Sequence, residues 1–198
     1  MQALDFFEGL EADNSKTYWT ANKTTYDEAV YAPMAALIEE LGEEFGEGKI
    51  FRPYRDVRFS ADKTPYKTNI AAVLGEGYIS LTAAGLSAGS GMWMMAPDQL
   101  ARYRAAVADH RGGELEKVIA GITRKKIQVH GHDVLKTVPR GYDKEHPRID
   151  LLRHKSVIAS HAIGFEPVVH TPKLLDLVRR DWRATRPLVE WAQRHGTH

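Results

Sequence analysis

The stretch from residue 68 to residue 94 constrains the fold more than any other part of the chain. It holds three β-prone runs, 68–74, 78–83 and 87–94, separated only by Gly75-Glu76-Gly77 and by the residues around Gly85. A parallel crossover needs about a dozen residues or more, so connections this short dictate antiparallel pairing. Such a sheet must cover at least one face with other elements, and helical patterns on both sides of it in sequence supply the cover.

On the N-terminal side, Leu4, Phe7 and Leu10 recur at helical spacing, which predicts a short helix ended with the help of Gly9. Asn14 or Ser15 then caps a second helix. Its apolar stripe runs through Trp19, Tyr26, Val30, Leu37, Ile38, Leu41 and Phe45, with a kink or break expected at residues 29–33 because Pro33 removes a donor. Glu39, Glu40, Glu43 and Glu44 read as a solvated face, and Gly46 and Gly48 end the helix. Residues 49–59 alternate as a strand should. Phe51, Val57 and Phe59 share one side and Arg52, Tyr54, Asp56 and Arg58 the other, while Arg55 falls on the apolar side. Pro53 makes this an edge strand or a bulge.

Past the sheet, Pro97 opens a helix with Leu100, Tyr103, Arg104 and Val107 inward and Gly112-Gly113 after it. A second helix over 114–124, a strand at 127–129, a loop over 135–147, a helical turn at Leu151-Leu152 and a strand over 156–163 follow. The last element is a long helix from Thr171-Pro172 through Leu174, Val178 and Trp182, bent or restarted at Pro187 before Leu188 and Trp191. Trp182 and Trp191 are read as core or interface residues. The expected architecture is a single α+β domain whose mainly antiparallel sheet is covered by N-terminal and C-terminal helices. Its parts are helices over 1–48, a sheet core over 49–94, helices and loop over 97–155, and a strand and helix over 156–196.

A length of 198 residues suits one domain. No apolar run reaches the ~18–20 residues of a membrane span and no signal-peptide pattern opens the chain, so a cytoplasmic protein without membrane association is expected. The absence of cysteine excludes disulfides, thiolate metal sites and cysteine nucleophiles. The net charge of +1 hides a division. Residues 1–50 hold three lysines against eleven carboxylates, so the remainder is basic. An anionic partner is favoured, but the near-balanced total disfavours a dedicated nucleic-acid binder.

Between Arg52 and Lys67, five basic side chains, Arg52, Arg55, Arg58, Lys63 and Lys67, face only Asp56 and Asp62, with aromatic residues between them. Arg55 and Arg58 are suited to grip a phosphate or carboxylate through paired N–H donors, Lys63 and Lys67 add point charge, and Asp56 orients a guanidinium. Tyr66 and Trp93 are the candidate aromatic walls. The competing reading is an internal salt-bridge network around Asp56, with the excess charge balanced by the acidic N-terminal helix. A second cluster, Lys136, Arg140, Tyr142, His146 and Lys155, lies on or beside the 135–147 loop, which is equally readable as a solvated basic loop. His146 is a candidate general acid or base, or a turn residue before Pro147.

Two weaker patterns read as incidental. Gly85-Leu86-Ser87-Ala88-Gly89 matches a hydrolase elbow, yet no helix signal follows Ser87 until Pro97. A glycine-rich strand that lets backbone approach closely explains it better. His130-Gly131-His132-Asp133 lacks the further ligands a metal requires, so no metal and no cofactor are expected.

The motif Arg52-x-x-Arg55-Asp56-x-Arg58-Phe59, followed by Asp62-Lys63-x-x-Tyr66-Lys67, resembles the signature of the domain of unknown function 2461 family, found in bacteria and fungi. Trp19-x-x-Asn22-Lys23-x-x-Tyr26, the glycine-rich strand ending at Trp93, Leu135-Lys136 with Pro139-x-Gly141-Tyr142, and His146-Pro147 extend the resemblance over most of the chain. Tyr18-Trp19 stands where the pattern leads one to expect Trp-Phe. The resemblance implies a shared site rich in charged and aromatic residues, and no particular reaction. The expected function is therefore binding of a small anionic ligand through Arg52, Arg55, Arg58, Lys63, Tyr66, Lys67, Trp93, Lys136 and Tyr142. Asp56 or His146 would move a proton if chemistry occurs. The alternatives are nucleic-acid binding and a purely structural basic patch. Oligomeric state is not encoded in any feature of the sequence.

Overall fold

The structure, a computed structural model, describes residues 2–58 and 61–197. The expected strand position at Phe59 lies outside the described residues. The fold is α+β, with six strands in one sheet in the order β1-β2-β3-β4-β6-β5. Two compact units are distinguishable, Met1–Ala88 with Ala162–Arg179, and Gly89–His161 with Arg180–His198.

In the first unit, α1 (Gln2–Ala12) runs past Gly9 instead of ending there. Gly9 serves packing. A Cβ at that position would stand 2.7 Å from Cζ of Tyr18, whose hydroxyl donates to the Phe6 carbonyl at 2.9 Å. Ser15 caps α2 (Lys16–Ala21) by accepting from the Tyr18 N–H. After the short α3 (Lys23–Thr25) the disturbance expected near Pro33 takes the form of a change of pitch. Tyr26–Tyr31 is π-helical, with the Ala32 N–H reaching back to Asp27, and Pro33 falls in the first turn of α4 (Ala32–Phe45), where a missing N–H costs little. Gly46 ends α4 at φ +90°.

The meander is β2 (Asn69–Leu74), β3 (Gly77–Thr82) and β4 (Gly85–Met92), preceded by the edge strand β1 (Gly48–Ile50). β1 and β2, and β2 and β3, pair antiparallel, the latter with Ala71 opposite Ser80 and Ala72 opposite Ile79. Ile70, Ala72, Leu74 and Ile79 are buried with Phe7, Leu10, Val30, Met34, Ile38 and Leu41 in the first unit's core. The strand expected over 49–59 is thus only three residues long in its ladder.

The second unit begins with α5 (Pro97–Ala108) and α6 (Arg111–Thr123). Gly112-Gly113, expected to follow a helix as a break, instead lies in the first turn of α6, where a Cβ at Gly112 would stand 2.9 Å from the Val107 carbonyl carbon. β5 (Gln128–His130), α7 (Ile149–Arg153) and β6 (Val157–Gly164) follow, with β5 antiparallel to β6. Tyr103, Val107, Leu115, Ile122, Leu152, Val157, Leu188 and Trp191 form its core. The glycine-rich strand β4 now has its reason. A Cβ on Gly89 would stand 2.7 Å from the Ala159 carbonyl oxygen, and one on Gly91 (φ +132°) would meet the Val157 carbonyl oxygen closer still.

After the 3₁₀ turn Pro167–His170 comes α8 (Lys173–Ala192), which continues through Pro187 without the expected restart. Pro187 is on the exposed side of the helix. Trp182 and Trp191 are both buried. Among the described residues, no helix is long and apolar enough to cross a membrane.

Candidate functional site

Two prolines shape the Arg52–Lys67 stretch. Tyr54 and Tyr66 form a single antiparallel bridge, in which the Arg55 N–H donates to the Pro65 carbonyl (2.9 Å) and the Lys67 N–H to that of Pro53 (2.7 Å). Pro53 and Pro65 accept but have no N–H to return, so the ladder stops after one rung. The predicted alternation survives without it. Phe51, Arg55 and Val57 are half-buried, whereas Arg52, Tyr54, Asp56 and Arg58 are exposed.

The base of this hairpin-like loop is fixed by Asn14 and Trp19. The Asn14 amide donates to the Tyr66 carbonyl and accepts from the Tyr66 N–H, both at 3.0 Å. The Tyr66 ring stacks on Trp19 with centroids 4.4 Å apart and planes 8° from parallel. Tyr66 is 6% exposed, so it anchors the loop rather than lining an open wall. The tip is knit by its own charges. Arg55 Nε donates to the Tyr66 carbonyl (2.9 Å) and its Nη1 pairs with Asp62, while Asp62 also accepts from the Thr64 N–H and hydroxyl. Asp56 accepts from Arg58 Nε (2.9 Å) and Nη2 (2.6 Å), and Lys63 Nζ donates to the Val57 carbonyl at 2.9 Å.

These bonds set the electrostatics. Hydrogen bonds from the Arg58 side chain and backbone hold the Asp56 carboxyl below its usual range, with Arg52 contributing at longer reach. Asp62 is lowered by the Thr64 N–H and hydroxyl first, and by Arg55 after them. Both acids are thereby ionised clamps at neutral pH. The Lys67 ammonium is pushed below its ordinary pKa, first by burial and then by the nearby Arg52 charge. Its Nζ lies 5.5 Å from the Phe51 ring centroid. Among the described residues neither Arg52 nor Lys67 forms an ion pair.

Beside this pair, the strands present a polar surface. Lys67 stands two residues before Asn69, the first residue of β2. Asn69 donates to Ser80 Oγ at 3.1 Å, and Ser87 Oγ lies 3.5 Å from the Ser80 carbonyl. Asn69, Ser80 and Ser87 lie on the opposite face of the strands from the buried Ile70, Ile79 and Leu86, with Asn69 and Ser87 half-buried and Ser80 buried at 6% exposure. Sequence reading missed Asn69 and Ser80. For Ser80 the available signal was Tyr78, Ser80 and Thr82 alternating with Ile79 and Leu81; Asn69 shares its face of β2 with Ala71 and Val73 and leaves no such trace. Ser87 sits in the middle of β4 with no helix behind it, which is not the setting of a nucleophile elbow.

Trp93, Lys136, Tyr142 and His146 belong to the second unit. Trp93 is 38% exposed, with its ring edge toward His132 at 6.2 Å. Lys136 and Arg140 are exposed, Tyr142 packs against the second core, and Lys155 pairs with Asp133 at 2.7 Å. Both nitrogens of His146 are engaged with backbone. Nδ1 accepts from the Arg148 N–H (3.0 Å), which leaves Nε2–H to donate to the Ala108 carbonyl at 3.2 Å. Arg148 Nη1 donates to the carbonyls of Val107 and Asp109, and its Nε pairs with Glu116. His146 and Arg148 together therefore satisfy carbonyls at the C-terminal end of α5.

A further pair was not anticipated. Asp181, 3% exposed, has its two oxygens 2.6 Å from His161 Nδ1 and 3.0 Å from Arg180 Nη2. Its trace in the sequence is a carboxylate interrupting the apolar stripe of Val178 and Trp182. Among the described residues, no three histidine, aspartate or glutamate side chains gather as metal ligands. His130 Nε2 lies instead 2.9 Å from Ser160 Oγ.

Comparison with curated proteins and with solved structures finds no match. The family described as conserved hypothetical protein (DUF2461) matches residues 2–191, a span that takes in the Arg52–Lys67 loop, its Asn14 and Trp19 supports and both cores. The chain belongs to that family.

Proposed function

We propose that this protein binds a small anionic ligand, bearing a phosphate or a carboxylate, at Arg52 and Lys67. The observation that carries the reading is the Lys67 ammonium, partly withdrawn from water, repelled by Arg52 and without an ion-pair partner among the described residues. A bound anion would relieve both penalties at once, because opposite charge favours the charged form that burial disfavours. Arg52 supplies the planar donors suited to an oxyanion, and the half-buried Asn69 and Ser87 offer amide and hydroxyl groups to the rest of the ligand. Arg55, Arg58 and Lys63 hold the loop in shape through bonds they already make.

Titration with inorganic phosphate and with citrate, followed by calorimetry and by the Asn69 side-chain amide signal, tests this. Arg52→Ala and Lys67→Met should each weaken binding about tenfold or more while the melting temperature stays within a few degrees, since neither side chain forms an ion pair among the described residues. Equal affinity in the wild type and both variants would overturn the reading. A steep fall of oligonucleotide affinity with salt, and no response to phosphate or citrate, would favour nucleic acid instead.

A further inference from the structure

Leu81 and Leu86 alternate along β3 and β4 with Ser80 and Ser87, so the same strands carry a polar face and an apolar face. On the apolar side, wholly within the first unit, these leucines border a cavity of about 720 Å³ between the sheet, α1, α4, the 3₁₀ turn and the start of α8. Sites for small molecules span about 300–1,000 Å³. Apart from Gln2, His170 and Thr171, every lining residue is apolar or glycine, and none of the described ones carries a fixed charge.

The walls leave the space unfilled. Leu37, Leu81 and Leu174 are only half-buried, and Phe165 at the rim is 52% exposed. Scattered exposed leucines on a convex surface mean little, but apolar side chains converging on one concavity stay partly wet at a cost of about 25 cal/mol per Å². Gly164 contributes a stretch of wall made of backbone, with no atom within 4 Å of where a Cβ would stand.

We propose that this cavity is a second binding site, distinct from Arg52 and Lys67, for an unbranched aliphatic chain with a small hydroxyl or carboxylate head. Most of the lining is aliphatic, with the conformable Met34 among it and only Phe165 and His170 as aromatic rings in the described lining, so it fits a flexible chain better than a planar ring sandwiched between two aromatics. His170 and Thr171, adjacent on the rim, are the polar groups that meet the head. The uncharged lining gives a neutral alcohol and a fatty acid the same chain contacts.

The test uses 1-octanol and octanoate, read from the methyl signals of the full chain and by calorimetry. Both ligands should shift the methyl signals of Met34, Leu81 and Leu86. Affinity should rise about tenfold from 1-hexanol to 1-octanol, because each added methylene is removed from water. Leu37→Trp and Leu174→Trp, which fill the space, should each weaken 1-octanol binding at least tenfold, whereas Lys67→Met should leave it unchanged. No methyl shift at millimolar 1-octanol, or affinity that stays flat along the alcohol series, would overturn the proposal, and both are read on the wild type whether or not the filled variants fold. Undiminished binding in folded Leu37→Trp and Leu174→Trp would also overturn it.

Discussion

At Asp109 the carboxylate accepts from the Arg111 guanidinium, with Nη2 at 2.6 Å, and from the Arg111 N–H, which starts α6 within two residues of the end of α5. Those bonds, the side-chain one first, lower its pKa from 3.8 to about 2. A depressed carboxylate stabilises the fold above its unfolded pKa and loses that contribution as pH falls through the folded one. Asp109→Asn should therefore melt lower than the wild type at neutral pH, and thermal melts should show the gap closing between about pH 4 and pH 2. Asn14 makes a different residue-scale argument. It satisfies both backbone groups of Tyr66, and removing one partner of a buried hydrogen bond costs about 1–3 kcal/mol. Asn14→Ala should destabilise by about that amount in urea denaturation. It should also reduce anion binding, because the loop carrying Arg52 and Lys67 loses its anchor.

Among the elements, α8 and the Arg52–Lys67 loop show where local rules are overridden. Proline in a helix interior costs about 3 kcal/mol against alanine, yet α8 continues through Pro187 because Leu188 and Trp191 beyond it are buried in the second core. Pro187→Ala should raise the melting temperature, by an amount matching about 1–3 kcal/mol, without altering ligand binding. Calorimetric melts of the two proteins check it. In the Arg52–Lys67 loop the prolines prevail instead, since none of the described residues between Tyr54 and Tyr66 is buried in a core that would reward a longer ladder. The alternating exposure of residues 51–58 was legible from side-chain pattern alone, but the length of the ladder depended on Pro65, which reads as part of a turn until it is placed opposite Pro53.

For the molecule as a whole, β4, β6 and α8 each contribute residues to both compact units. Elements shared in this way cannot unfold in one unit and remain intact in the other, so a single cooperative calorimetric transition is expected. Two resolved transitions would instead mark two domains. Local patterning determined the α+β class, the antiparallel meander and most helices by itself, because hydrophobic period and turn residues act over a few positions. It also marked Arg52–Lys67 as a run in which five basic side chains meet only two acids. Only the tertiary structure decided which of those charges are already spent. Arg55 and Arg58 point back to Asp62 and Asp56, His146 gives both nitrogens to backbone, and Arg52 and Lys67 repel each other without an ion pair among the described residues. The reason is physical. Whether a charge is neutralised depends on partners brought within about 4 Å in space, and Asn14 and Trp19, which anchor this loop, lie more than thirty residues before Arg52 in sequence.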